Sequence, residues 1–124
     1  MQLDHINIAV PRDMLETIRE FYCQALGLTV GERPDFTRHG YWLYGDSGAC
    51  VHLIESERHQ RHEIPGHLDH VAFRASDPIA TIERLRAAGI AFDQKRIPEL
   101  GLTQLFLHDP AGVRLELNFR SSGQ

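Results

Sequence analysis

The sequence predicts an α+β fold in which one βαβββ module is written twice, and three observations predict it. The stretch Leu3-Asp4-His5-Ile6-Asn7-Ile8-Ala9-Val10 returns as Leu68-Asp69-His70-Val71-Ala72-Phe73-Arg74-Ala75, with the two histidines 65 positions apart. Each stretch precedes an amphipathic helical pattern that closes on a glycine, in Ala25-Leu26-Gly27-Leu28 and in Ala87-Ala88-Gly89-Ile90. Two later runs, Gly40 to Asp46 and Val51 to Ile54, are answered by Thr103 to Asp109 and Leu115 to Asn118, which sets His52 and Glu116 64 positions apart. An internal repeat fixes the architecture before any local reading does.

In the first strand, alternation sends His5, Asn7 and Ala9 to one face and Ile6, Ile8 and Val10 to the other. The helix from Met14 to Leu26 carries Leu15, Ile18, Tyr22, Ala25 and Leu26 with Phe21 beside them, a stripe able to cover the isoleucine face. Gly27 then supplies a left-handed stop. Pro34 ends a short strand from Thr29 to Arg33, which reads as an edge. Tyr41 to Tyr44 form the third strand, and Gly45-Asp46-Ser47-Gly48 is a turn. The fourth strand, Ala49 to Glu55, sets Cys50, His52 and Ile54 against Val51, Leu53 and Glu55. Pattern alone does not say which set meets the helix; Val51 and Leu53 are the better core residues, which leaves His52 on the side of His5.

The polar run from Ser56 to Gly66, with His59, His62 and Pro65, reads as a solvated linker. In the second module Asp77 is the expected N-cap, with Pro78 at the first helical position. Ile79, Ile82, Leu85 and Ala88 are its expected buried stripe. Asp109-Pro110-Ala111-Gly112 is a turn, and the last strand alternates Arg114, Glu116 and Asn118 against Val113, Leu115, Leu117 and Phe119.

These 124 residues are expected to form a single domain, with module one at about 1–55, a linker at 56–67 and module two at about 68–120. Net charge is −4 and there is no basic run, so nothing offers the electrostatic footprint of a nucleic-acid binder. No apolar run approaches the roughly 18 residues of a membrane span. Two cysteines, Cys23 and Cys50, are too few for a disulfide scaffold, and a cytoplasmic location is expected.

Collecting the polar faces gives the chemistry. His5 and His70 stand at equivalent positions, and so do His52 and Glu116. If the two sheets lie side by side about a pseudo-twofold axis, the four side chains converge on one cavity. Three imidazoles and a carboxylate suit a divalent transition metal, and His5, His70 and Glu116 alone would make a two-histidine, one-carboxylate site with open positions. Arg74 and Arg114 share faces with His70 and Glu116 and are candidates to bind a substrate carboxylate. Cys50 shares the face of His52 and reads as a small buried residue.

The repeat, the Leu-Asp-His openings, Phe21-Tyr22 before Ala25-Leu26-Gly27-Leu28, and Asp109-Pro110-Ala111-Gly112 with Leu115-Glu116-Leu117 resemble the vicinal oxygen chelate superfamily. That group contains glyoxalases, bleomycin-resistance proteins, extradiol dioxygenases, methylmalonyl-CoA epimerases and fosfomycin-resistance enzymes. The resemblance runs to about Phe119. It implies a curved mixed sheet around a metal cavity, with His5, His70 and Glu116 where the ligands stand and His52 at a position where glyoxalase I has a glutamate and the epimerases a glutamine. It also implies a divalent ion (Fe, Zn, Ni or Mn), a small-molecule substrate and a homodimer.

The activity it implies is that of a metal-dependent lyase or isomerase acting on a small oxygenated substrate. In that mechanism Glu116 and His52 serve catalysis, His52 as the base if it is not a ligand and Tyr41 or Tyr44 as weaker candidates. An iron-dependent extradiol-type dioxygenase and a metal-free binding or resistance protein are the alternatives. The loops from Glu32 to His39 and from Glu99 to Leu102 are expected to line the pocket.

Overall fold

The computed structural model describes residues 1–63 and 66–121. Ile64 and Pro65, which fall in the expected linker, lie outside the described residues. The chain forms two compact units, residues 1–63 and 64–124.

The first unit runs β1 (Ile6–Val10), a 3-10 turn (Arg12–Met14), α1 (Leu15–Leu26), β2 (Thr29–Gly31), β3 (Gly40–Gly45) and β4 (Gly48–Glu55). Its sheet has the order β1-β4-β3-β2, with β1 parallel to β4 and the other pairs antiparallel. The second unit repeats the plan with β5 (Val71–Arg74), α2 (Pro78–Ala87), β6 (Asp93–Ile97), a 3-10 turn (Pro98–Leu100), β7 (Leu102–His108) and β8 (Arg114–Arg120), in the order β5-β8-β7-β6. The helix joining each parallel pair is the crossover that parallel strands require. The expected strand, helix and three strands are therefore found twice.

In unit one the core is the α1 stripe on the inner sheet face. Leu15, Ile18, Phe21, Tyr22 and Ala25 are buried with Val10, Leu43, Val51 and Leu53. Burial of Val51 and Leu53 turns His52 to the opposite face, with His5 and Asn7. Leu26, expected in the stripe, is only half-buried, and Met14 in the preceding turn is buried instead. Gly27 takes φ 70° and its N–H donates to the Cys23 carbonyl, closing the helix. Gly31 is required by a close approach: a Cβ there would lie 2.5 Å from the Tyr44 ring.

In unit two Leu115, Leu117 and Phe119 of β8 and Leu105 and Leu107 of β7 are buried, as the final alternation requires. Asp77 caps α2 by accepting from the Ala80 N–H at 3.1 Å. The stripe of α2 differs from the expected one. Thr81 and Leu85 are buried, Ile82 and Ala88 are half-buried, and Ile79 is 71% exposed. Ile79 sits in the first turn beside Pro78 and faces outward, and Thr81, whose hydroxyl donates to the Asp77 carbonyl, is the buried residue at this end of the helix.

Candidate functional site

The site residues stand on the sheet face turned away from the helix. In unit one the parallel register sets Asn7 opposite His52 and Ile6 opposite Val51, which brings His5 diagonally next to His52. The imidazoles stack with centroids 3.8 Å apart and planes 14° apart. Trp42, opposite His52 in the β3–β4 pair, stacks on its other face at 4.3 Å and 10°. Phe36 tilts against Trp42 at 6.3 Å, and the Arg33 guanidinium lies over Phe36 with its Cζ 4.8 Å from the ring centroid. Together with Asp4, Asn7 and Ile54 these groups line a cavity of about 590 Å3. Arg33 and Phe36 come from the loop expected to line the pocket.

Unit two repeats the arrangement at positions set by the same register. Ala72 lies opposite Glu116, as Asn7 lies opposite His52, and His70 therefore reaches Glu116 diagonally. His70 Nε2 stands 3.3 Å from Glu116 Oε1. Phe106 is opposite Glu116, the place that Trp42 holds against His52. Arg114 reaches Asp69 Oδ2 at 3.3 Å, with its Cζ 5.3 Å from the Phe106 ring centroid. Arg74 is exposed at the end of β5, opposite Asn118.

Both histidines are oriented alike. His5 Nδ1 lies 2.6 Å from Asp4 Oδ2, and His70 Nδ1 lies 2.8 Å from Asp69 Oδ2. An ionised carboxylate only accepts, so in each ring Nδ1 donates, and Nε2 is the nitrogen that a neutral ring keeps as a lone pair. This is the arrangement that prepares a histidine to ligate a metal through Nε2. The hydrogen bond from His70, and after it the charge of Arg114, hold the Asp69 carboxyl below its ordinary value. At His70, Nε2 faces Glu116 Oε1 at 3.3 Å, and an imidazole nitrogen beside a carboxylate oxygen is a donor pair whose chemistry fits a divalent metal.

His52 differs. Burial, then the nearby charges of His5 and Arg33, push its imidazole below the ordinary value against a hydrogen bond to the Ala49 backbone. Its ring lies nearly parallel to that of His5.

The structure thus brings His5 to His52, and His70 to Glu116 with Arg114 nearby. Among the described residues no group of three or more His, Cys, Asp or Glu side chains is assembled that could hold an ion, so each unit by itself supplies a pair. The tyrosine hydroxyls are engaged elsewhere. Tyr41 donates to Glu16 of α1, which raises the phenol and lowers the carboxyl, and Tyr44 donates to the Glu32 carbonyl at 2.5 Å.

Sequence reasoning missed the roles of Asp4, Asp69, Trp42, Phe36 and Arg33. The repeated aspartate before each histidine was a signal in plain view. Trp42 also follows once Leu43 is assigned to the core, since neighbours on a strand face opposite ways.

Two four-stranded mixed sheets, each with a crossover helix and a histidine opening its first strand, define a glyoxalase-type α+β fold. The sequence profile of the Glyoxalase/Bleomycin resistance protein/Dioxygenase superfamily matches residues 2–117, and the chain belongs to that superfamily. No curated protein matches.

Among solved structures, a glyoxylase/bleomycin resistance protein/dioxygenase domain from Frankia sp. EAN1pec is 20% identical, with TM-score 0.79 over 100% of this chain and 95% of that one. A glyoxalase family protein from Enterococcus faecalis is 24% identical, with TM-score 0.67 over 94% of this chain and 96% of that one. The fosfomycin resistance protein FosX from Listeria monocytogenes is 15% identical, with TM-score 0.72 over 98% of this chain and 95% of that one. A mutant of FosX has been solved with Mn(II) and 1S,2S-dihydroxypropylphosphonic acid. At these identities the likeness establishes the fold.

Proposed function

We propose that the protein is a metal-dependent enzyme of the lyase or isomerase kind, acting on a small oxygenated substrate, with His5, His70 and Glu116 as the ligands of a divalent ion. The observation that carries this reading is the Asp-oriented imidazole, built twice at equivalent positions, with Nε2 of His70 facing Glu116. When bound, such an ion supplies Lewis-acid polarisation of a substrate carbonyl and stabilises negative charge on its oxygen. Asp4 and Asp69 hold the ring tautomers, and Arg114 steadies Asp69. His52, packed between His5 and Trp42 at the cavity, would serve as the base that takes a proton from the carbon next to that carbonyl. The manganese and diol phosphonate held by a FosX mutant support a metal and an oxygen-rich substrate for the fold.

Metal analysis of protein purified without an affinity tag tests the reading. Wild type is expected to hold close to one equivalent of a divalent metal. His5→Ala, His70→Ala and Glu116→Gln should each lose most of it, while His52→Ala keeps it. Metal content unchanged in all four variants, or no metal in wild type after reconstitution, overturns the proposal. The two-histidine, one-carboxylate set favours a second reading, an iron-dependent extradiol-type dioxygenase. Oxygen uptake with catechols by iron-loaded protein separates the two.

A further inference from the structure

Arg33 is the one lysine or arginine among the described residues of the unit-one cavity, and the chain leaves it incompletely satisfied. Its Nη2 donates to the Arg38 carbonyl at 3.1 Å and its guanidinium lies on Phe36. Its Nε is buried without a hydrogen-bond partner, and among the described residues no carboxylate forms an ion pair with it. The Nη end of the guanidinium, rather than the buried Nε, is what remains for a ligand, and its N–H donors and fixed charge suit a carboxylate.

The cavity also has an apolar side. Phe36 is 51% exposed and Trp42 half-buried, and both lie beside the cationic group rather than under a helix. Gly40 lets β3 pass close to β4 beside Arg33, since a Cβ there would lie 2.2 Å from the Leu53 carbonyl oxygen and 3.0 Å from Arg33 Nη2. An aromatic wall beside a single arginine selects a ligand with a flat apolar body and one anionic end.

We propose that the substrate is a small organic carboxylate, with its carboxylate bound by Arg33 and its apolar body resting on Phe36 and Trp42. Arg33 is thus a specificity-determining residue on the wall near His5. The proposal rests on the reading of His5 as part of the active site, but the binding it describes does not require the metal.

The test uses the full-length protein and its single tryptophan, Trp42, as the reporter. Phenylacetate and its neutral isostere phenylacetamide are titrated against Trp42 emission, in metal-loaded protein and in protein treated with chelator. Phenylacetate is expected to change the emission saturably in both preparations, with affinity at least tenfold above that of the amide. Arg33→Gln should erase that preference, Arg33→Lys should restore part of it, and circular dichroism of both variants should match wild type.

Equal binding of acid and amide overturns the proposal, as does the absence of saturation with either. Binding that survives Arg33→Gln but disappears with chelator or in His5→Ala also overturns it, because the ion would then be the carboxylate's partner. If metal is absent from all samples while the Arg33-dependent preference remains, the metal reading fails and the carboxylate site stands.

Discussion

Asp69 is fixed by two donors, His70 Nδ1 at 2.8 Å and Arg114 Nη1 at 3.3 Å, and through the first it turns Nε2 of His70 toward Glu116. Asparagine is nearly the same size, but its amide can offer N–H as well as oxygen and so no longer enforces one tautomer. Removing such an outer partner of a metal-bound histidine costs about 10–100-fold in metal affinity. Asp69→Asn is therefore expected to weaken metal binding within that range, read by competition with a chromogenic chelator, with the circular dichroism spectrum unchanged. An unaltered affinity would remove Asp69 from the site. The tandem Leu-Asp-His pointed to His5 and His70 directly, and strand alternation added Glu116. It could not show what Asp4 and Asp69 do, because a carboxylate beside a histidine reads the same in sequence whether it faces solvent or the ring.

Between α1 and β3 the first unit carries a polar tie as well as an apolar seam. Tyr41 donates to Glu16, Arg19 donates to the same carboxylate at 2.8 Å, and the Arg19 guanidinium lies over the Tyr41 ring. The phenol is raised because losing its proton would cost it the bond to Glu16, and the carboxyl is lowered because its charged form is the acceptor. The contribution of Tyr41 is thus present below the unfolded tyrosine value of about 10 and is lost as pH climbs through the raised folded value. That of Glu16 is present above the unfolded carboxylate value of about 4 and is lost as pH falls through the lowered one. Glu16→Gln should bring one of the three tyrosines down toward about 10 in a spectrophotometric titration, and Tyr41→Phe should remove that transition. If Glu16→Gln leaves every tyrosine transition in place, the tie is absent in solution.

Most elements were legible in the sequence because their patterns coincide with burial: the β8 alternation, the Gly27 stop and the Asp77–Pro78 start all reappear. β6 (Asp93–Ile97) was not located, because an edge strand of Asp93, Gln94, Lys95 and Arg96 has little apolar face to reveal it. The stripe of α2 was misread at Ile79 because a helical period gives relative facing, and the absolute phase is set by which residue meets the sheet.

Across the whole chain the repeat is closer in topology and register than in packing. β1 to β4 and β5 to β8 share their order, and the equivalent sites follow from that register. Sequence showed this plan because a repeated histidine and a repeated glycine stop mark positions, whereas how tightly each copy is packed depends on contacts that no spacing encodes. α1 buries five side chains and has twelve residues; α2 buries Thr81 and Leu85 and has ten. Local opening free energy tracks buried apolar contact, so the two copies of one design should differ in how often they breathe. In native-state hydrogen exchange the amides of α2 are expected to lose protection well before those of α1, and the reverse order would contradict the packing described. One plan carried twice would then set His5 on a firm scaffold and His70 with Glu116 on a looser one, so that the second pair can adjust its spacing more readily than the stacked rings of the first.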